Sequence, residues 1–90
     1  MPIVSIFYGI TVSMYFGDHP PPHIHVDYHS HEALVRIADG ETIRGRLPPV
    51  ARRLVREWIA LHREALKANF ERVQDLRNPE QIPGLDDDAD

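Results

Sequence analysis

The sequence predicts an α+β fold: an antiparallel sheet of four to five strands in meander order, with one long C-terminal helix packed on one face. Three observations carry this. Short runs of alternating apolar and polar residues fill the first half of the chain. Turn-forming residues separate those runs. One stretch with apolar residues three or four apart fills most of the second half.

The strands follow in order. Residues 3–8 (IVSIFY) and 10–16 (ITVSMYF) are rich in β-branched and aromatic residues, and Gly9 between them predicts a bulge or bend rather than a full turn. Residues 17–22 (GDHPPP) form a loop, because proline lacks a backbone donor. Residues 23–28 (HIHVDY) alternate, with Ile24, Val26 and Tyr28 on one face and His23, His25 and Asp27 on the other. A two-residue turn at His29-Ser30 sets Val26 opposite Ala33, Ile24 opposite Val35, His25 opposite Leu34 and His23 opposite Arg36. Asp39-Gly40 predicts a further hairpin leading to a short strand near 41–46. A bulge at Gly40 would pair Ile37 with Ile43 and bring Arg44 beside Arg36 on the histidine face.

Leu47-Pro48-Pro49 ends the sheet and opens the helix, since proline is accepted in a helix's first turn. The apolar stripe is Ala51, Leu54, Val55, Trp58, Ile59, Leu66, Phe70 and Val73, and Asn78-Pro79 sets a stop near Arg77. Residues 1–77 therefore read as one domain, and 78–90 as an acidic, disordered tail.

Composition narrows the function classes. The chain has 90 residues, a size at which a partner or homodimer is a reasonable expectation. With no cysteine, disulfide frameworks and cysteine-based zinc sites or nucleophiles are excluded. No signal peptide or membrane-spanning run is legible, so a cytoplasmic location is expected. The formal charge of −4 is matched by Asp86, Asp87, Asp88 and Asp90, leaving the rest near neutral but unevenly charged.

Five of the six histidines lie between positions 19 and 31. His23 and His25, two apart on a strand, point to one side about 6.5–7 Å apart along it. Such a pair supplies two metal ligands, with Asp27 or Asp18 adding oxygen, and zinc, nickel, iron or manganese would suit the donor set. Alternatively, one histidine acts as general base and the other as general acid on a phosphodiester, while Arg36 and Arg44 stabilise developing charge. The plainer alternative is a polar, solvated sheet face, and His29 and His31 fit that description as turn-flanking residues. His62 falls within the helix's apolar stripe, where packing is the ordinary role, but a helix lying on the sheet makes it a further catalytic candidate.

Arg46, Arg52 and Arg53 crowd the start of the helix, where cations are unfavourable by a few tenths of a kcal/mol each, roughly. An anion there would reverse the balance. Arg36, Arg44, Arg46, Arg52 and Arg53 are thus the candidate anion-binding set, against the alternative of a solvated face with Arg53 paired to Glu57.

The run Phe7-Tyr8-Gly9, then Met14-Tyr15-Phe16-x-Asp18-His19-x-Pro-Pro22-His23-x-His25, resembles the bacterial domain-of-unknown-function family 4160. The resemblance continues through Asp39-Gly40, Gly45-x-Leu47-Pro48 and Glu57-Trp58-x-x-Leu61-His62-x-Glu64-x-Leu66, and covers about residues 1–75. It implies a toxin-like component of a toxin–antitoxin module, whose small antitoxin-like partner is of the family 2442 type. The matching positions able to do chemistry are Asp18, His19, His23, His25 and His62. One departure is visible: His29-Ser30-His31 stands where the family usually has a glycine-containing turn.

Three functions follow as expectations. The first is a toxin-like protein acting on RNA or another phosphate-containing target, as a ribonuclease or other phosphodiester hydrolase, through His23, His25 and the arginines. The second is a module in which the His-x-His strand binds a divalent transition metal. The third is a non-catalytic interaction domain.

Overall fold

The computed structural model describes residues 2–86. Five strands, β1 (Ile3–Phe7), β2 (Ile10–Ser13), β3 (His23–Tyr28), β4 (His31–Arg36) and β5 (Thr42–Gly45), form one antiparallel sheet in meander order. One helix, α1 (Pro49–Gln74), follows. The expected α+β architecture is the observed one.

The β3–β4 register is as the alternation predicts: Ile24 lies opposite Val35, Val26 opposite Ala33, His25 opposite Leu34 and His23 opposite Arg36. His29 opens the connecting turn with a positive φ of 54°. Elsewhere two expectations change. Phe7 pairs directly with Ile10, so Tyr8-Gly9 is a full two-residue turn, with φ of 50° and 78° as a primed hairpin turn requires. The irregularity between β4 and β5 also falls elsewhere: Val35 pairs with Thr42 and Leu34 with Arg44, which leaves Ile43 as the extra, exposed residue. Ile37 is instead fully buried, and its N–H donates to the Pro22 carbonyl.

Val12, Ile24, Val26, Val35 and Ile37 share one buried cluster with Ala51, Val55, Trp58, Ile59, Leu66, Phe70 and Val73 of α1. The helix thus covers the face opposite His25, while its C-terminal part reaches round to His23 through Phe70. Non-helical angles at His62 (φ −122°, ψ 25°) kink α1 where six residues separate Ile59 from the next buried position, Leu66. Arg63, next in the chain, donates from Nε to the Ile37 carbonyl at 3.0 Å.

The helix ends at Gln74, three residues short of the expected Arg77. The Arg77 N–H reaches the Arg72 carbonyl and the Leu76 N–H reaches that of Val73. This is a Schellman stop, with Leu76 at φ 60° in the place glycine usually takes. Residues 79–86, read above as the start of a tail, lie against the core. Ile82 is buried and donates its N–H to Val4, the Trp58 indole donates to the Pro83 carbonyl, and buried Asn69 bonds both backbone groups of Glu80. Residues 87–90 of that stretch lie outside the described residues. No helix among the described residues is long and apolar enough to cross a membrane.

Candidate metal centre

The loop from Met14 to Pro22 carries Asp18 back over the histidine face. Gly17 makes this course feasible: its φ is 72°, and its N–H donates at 2.7 Å to the carbonyl of Val73 in the last turn of α1. Asp18 then meets His23 and His25, two apart on β3. Its Oδ2 lies 2.9 Å from Nε2 of each histidine. One ligand atom from each of the three residues lies within 4.8 Å of the other two.

Each of these side chains is held from behind. Asp18 Oδ1 accepts the His19 N–H at 3.1 Å, which leaves Oδ2 for the histidines. His23 Nδ1 lies 2.7 Å from the Pro21 carbonyl oxygen. His23 is buried, with its ring 5.6 Å from that of Phe70 on α1. His25 is half-buried under Tyr15, the two ring centroids being 3.9 Å apart.

The hydrogen bond behind His23 fixes its chemistry. A carbonyl only accepts, so Nδ1 must carry the proton. A neutral His23 then turns the Nε2 lone pair toward a carboxylate oxygen at 2.9 Å, and the two repel. Only a second ring proton or a cation between them makes the contact favourable. An imidazole whose far nitrogen donates to a carbonyl, and a carboxylate with its own hydrogen bond, are how metal-binding side chains are commonly oriented. Bonds of about 2.0–2.1 Å in a tetrahedral shell put ligand atoms about 3.3 Å apart. The observed 2.9 Å therefore needs to open by only a few tenths of an ångström.

Burial alone would raise the Asp18 pKa. The hydrogen bond from His25, the charge of His23 and the His19 N–H together outweigh it, and the carboxyl sits below its ordinary value. Beside the two histidines the site thus favours the ionised carboxylate.

The other sequence candidates are distributed as follows. Asp27 lies one pleat beyond His25, opposite Glu32, and the converging oxygen comes from Asp18 instead. His62 stands apart from the triad with its ring 5.6 Å from that of Trp58. Arg36, though opposite His23, is taken by Asp39 in a bidentate pair at 3.0 and 2.7 Å. Arg44 is exposed on the histidine face, opposite Leu34, and lines a cleft with His25 and Tyr15. Arg46 is exposed just after β5. Arg52 and Arg53, with Arg56, line a separate groove at the start of α1, whose first turn holds no acid.

Tyr15 and Ser13 were not legible as site residues. Ser13 lies opposite His25 on β2, fully buried, and its hydroxyl finds no partner among the described residues. Alternation over 10–16 sets Tyr15 on one face with Thr11 and Ser13, but β2 ends at Ser13, and the stacking of Tyr15 on His25 depends on the path of the loop that follows.

No curated protein and no solved structure matches this sequence. Residues 9–71 match the family described as domain of unknown function DUF4160. That span runs from the first hairpin turn through Asp18, His23 and His25 to the last turns of α1, and the chain belongs to this family.

Proposed function

We propose that this protein is a metal-binding module in which Asp18, His23 and His25 hold one divalent transition-metal ion. The observation that supports it most is the His23 ring, hydrogen-bonded through Nδ1 to Pro21 so that Nε2 faces the Asp18 carboxylate at 2.9 Å. Two imidazoles and one carboxylate suit zinc, iron, nickel or manganese. Three protein ligands leave positions open for water or substrate, as in catalytic rather than structural zinc sites. An ion held by Asp18, His23 and His25 would lower the pKa of a bound water and act as a Lewis acid, so hydrolysis is the reaction class such a centre would suit.

Calorimetric titration of the tag-free chain with zinc tests the site. The expected result is one ion per chain, with affinity reduced at least about tenfold in Asp18→Asn, His23→Gln and His25→Gln, in line with lost ligand contacts. The His29→Ala, His31→Ala double variant should titrate as wild type. Equal binding by all variants would assign the zinc to scattered surface histidines.

A second reading, a toxin-like activity toward RNA with an antitoxin-like partner, is supported by the Arg52, Arg53 and Arg56 groove at the uncapped start of α1. RNA binding through that groove should weaken steeply with salt. Salt-independent binding, or none, counts against it.

A further inference from the structure

The cleft beside the triad has a volume of about 390 Å³, and its lining includes Tyr15, His25, Asp27, Glu32, Leu34 and Arg44. His25, Leu34 and Arg44 form one row across β3, β4 and β5 on the face that α1 leaves uncovered. Two strand spacings put the Arg44 backbone about 10 Å from that of His25, within reach of a small ligand and an extended arginine side chain. Arg44 also differs from Arg36 in pairing. Arg36, the other arginine on β4–β5 that the register places near the histidines, is held by Asp39, whereas Arg44, like Arg46, Arg52 and Arg53, has no ion-pair partner among the described residues.

We infer that this cleft is a subsite for a phosphate group, with one phosphate oxygen on the metal ion and the others on the Arg44 guanidinium. The inference rests on the metal reading above. A three-residue shell leaves coordination positions open, and an oxyanion is a natural occupant of one. The planar guanidinium offers several donors in a fork that matches phosphate. The half-exposed Tyr15 ring, stacked on His25, gives the organic part of the ligand a flat wall. Asp27 and Glu32, opposite each other on β3 and β4, also line the cleft and disfavour excess negative charge, so one guanidinium and one metal ion suit a single phosphate group. The ligand class is therefore a small molecule with a single phosphate group rather than a polyphosphate.

The test loads the full-length, tag-free chain with cobalt(II) and follows its visible absorption as inorganic phosphate is added. Phosphate should shift the cobalt bands saturably. Arg44→Met should weaken phosphate binding about tenfold or more, the loss expected for charge-assisted hydrogen bonds, while cobalt affinity stays unchanged. Arg44→Lys, which keeps the charge but not the fork, should fall between the two. Arg53→Met, at the separate groove, should match wild type. Cobalt bands that ignore phosphate, or equal losses in the Arg44 and Arg53 variants, overturn the phosphate subsite and leave the metal reading standing. A wild-type chain that develops no cobalt bands overturns both.

Discussion

Asp18 and Asp39 show how differently two carboxylates are used in one small domain. Asp18 is partly buried and turns one oxygen toward two histidines. Asp39 lies at the surface and takes the Arg36 guanidinium in a bidentate pair, with the Glu41 N–H as a third donor. The hydrogen bonds from Arg36, then that from Glu41, hold the Asp39 carboxyl at about 2, against an ordinary value of 3.8. The folded value is depressed, so the pair adds stability that is complete above the ordinary value. That contribution fades as pH falls through about 2. Carbon-detected NMR of the Asp39 carboxyl should place its midpoint near 2, and Arg36→Gln should return it toward 3.8. A wild-type midpoint already at the ordinary value would show that the bidentate pair does not persist in solution. The same pairing withdraws Arg36 from the histidine face. Cross-strand register made Arg36 a neighbour of His23, but an acid three residues away claimed its side chain.

At the scale of elements, the stop of α1 is where local sequence and observed structure part most clearly. Asn78-Pro79 blocks any continuation, yet the helix ends at Gln74 in a Schellman turn with Leu76 at φ 60°. A left-handed residue with a side chain carries a penalty of about 1–2 kcal/mol that glycine avoids. The Leu76 side chain is largely exposed, so little packing is lost on its removal. Leu76→Gly should stabilise the chain by about 1 kcal/mol, offset in part by glycine's greater freedom when unfolded, and raise the thermal midpoint by several degrees. A lower midpoint would mean that what packing the Leu76 side chain has matters more than the backbone strain. Alternation and helical spacing did make the strands, the β3–β4 register and the buried stripe of α1 legible, because each side chain's face follows directly from a period of two or 3.6 residues. The bulge at Ile43 was not legible: slipping one residue in a four-residue edge strand moves few apolar groups, so the pattern constrains it weakly.

At the scale of the molecule, the strand alone could not reveal how the site closes. His23-x-His25 was visible as a pair, but the third group depends on the path of a nine-residue loop tied through Gly17 to the far end of the helix. That tertiary contact brings in Asp18, whereas strand alternation points to Asp27 as the metal-binding oxygen beside His23 and His25. The final segment shows the same limitation. Its charge suggested a solvated tail, but Ile82 enters the core beside β1 and Asn69 satisfies the backbone of Glu80. Ion binding at Asp18, His23 and His25 would therefore join the sheet, the Gly17 loop and the end of α1, so metal and fold should stabilise each other through mass action. The most direct measurement is the elemental metal content of the tag-free chain purified from cells without added metal or chelator, beside Asp18→Asn prepared identically. The account predicts close to one transition-metal ion per wild-type chain and only background in the variant; a metal-free wild type, or equal content in both, would contradict it.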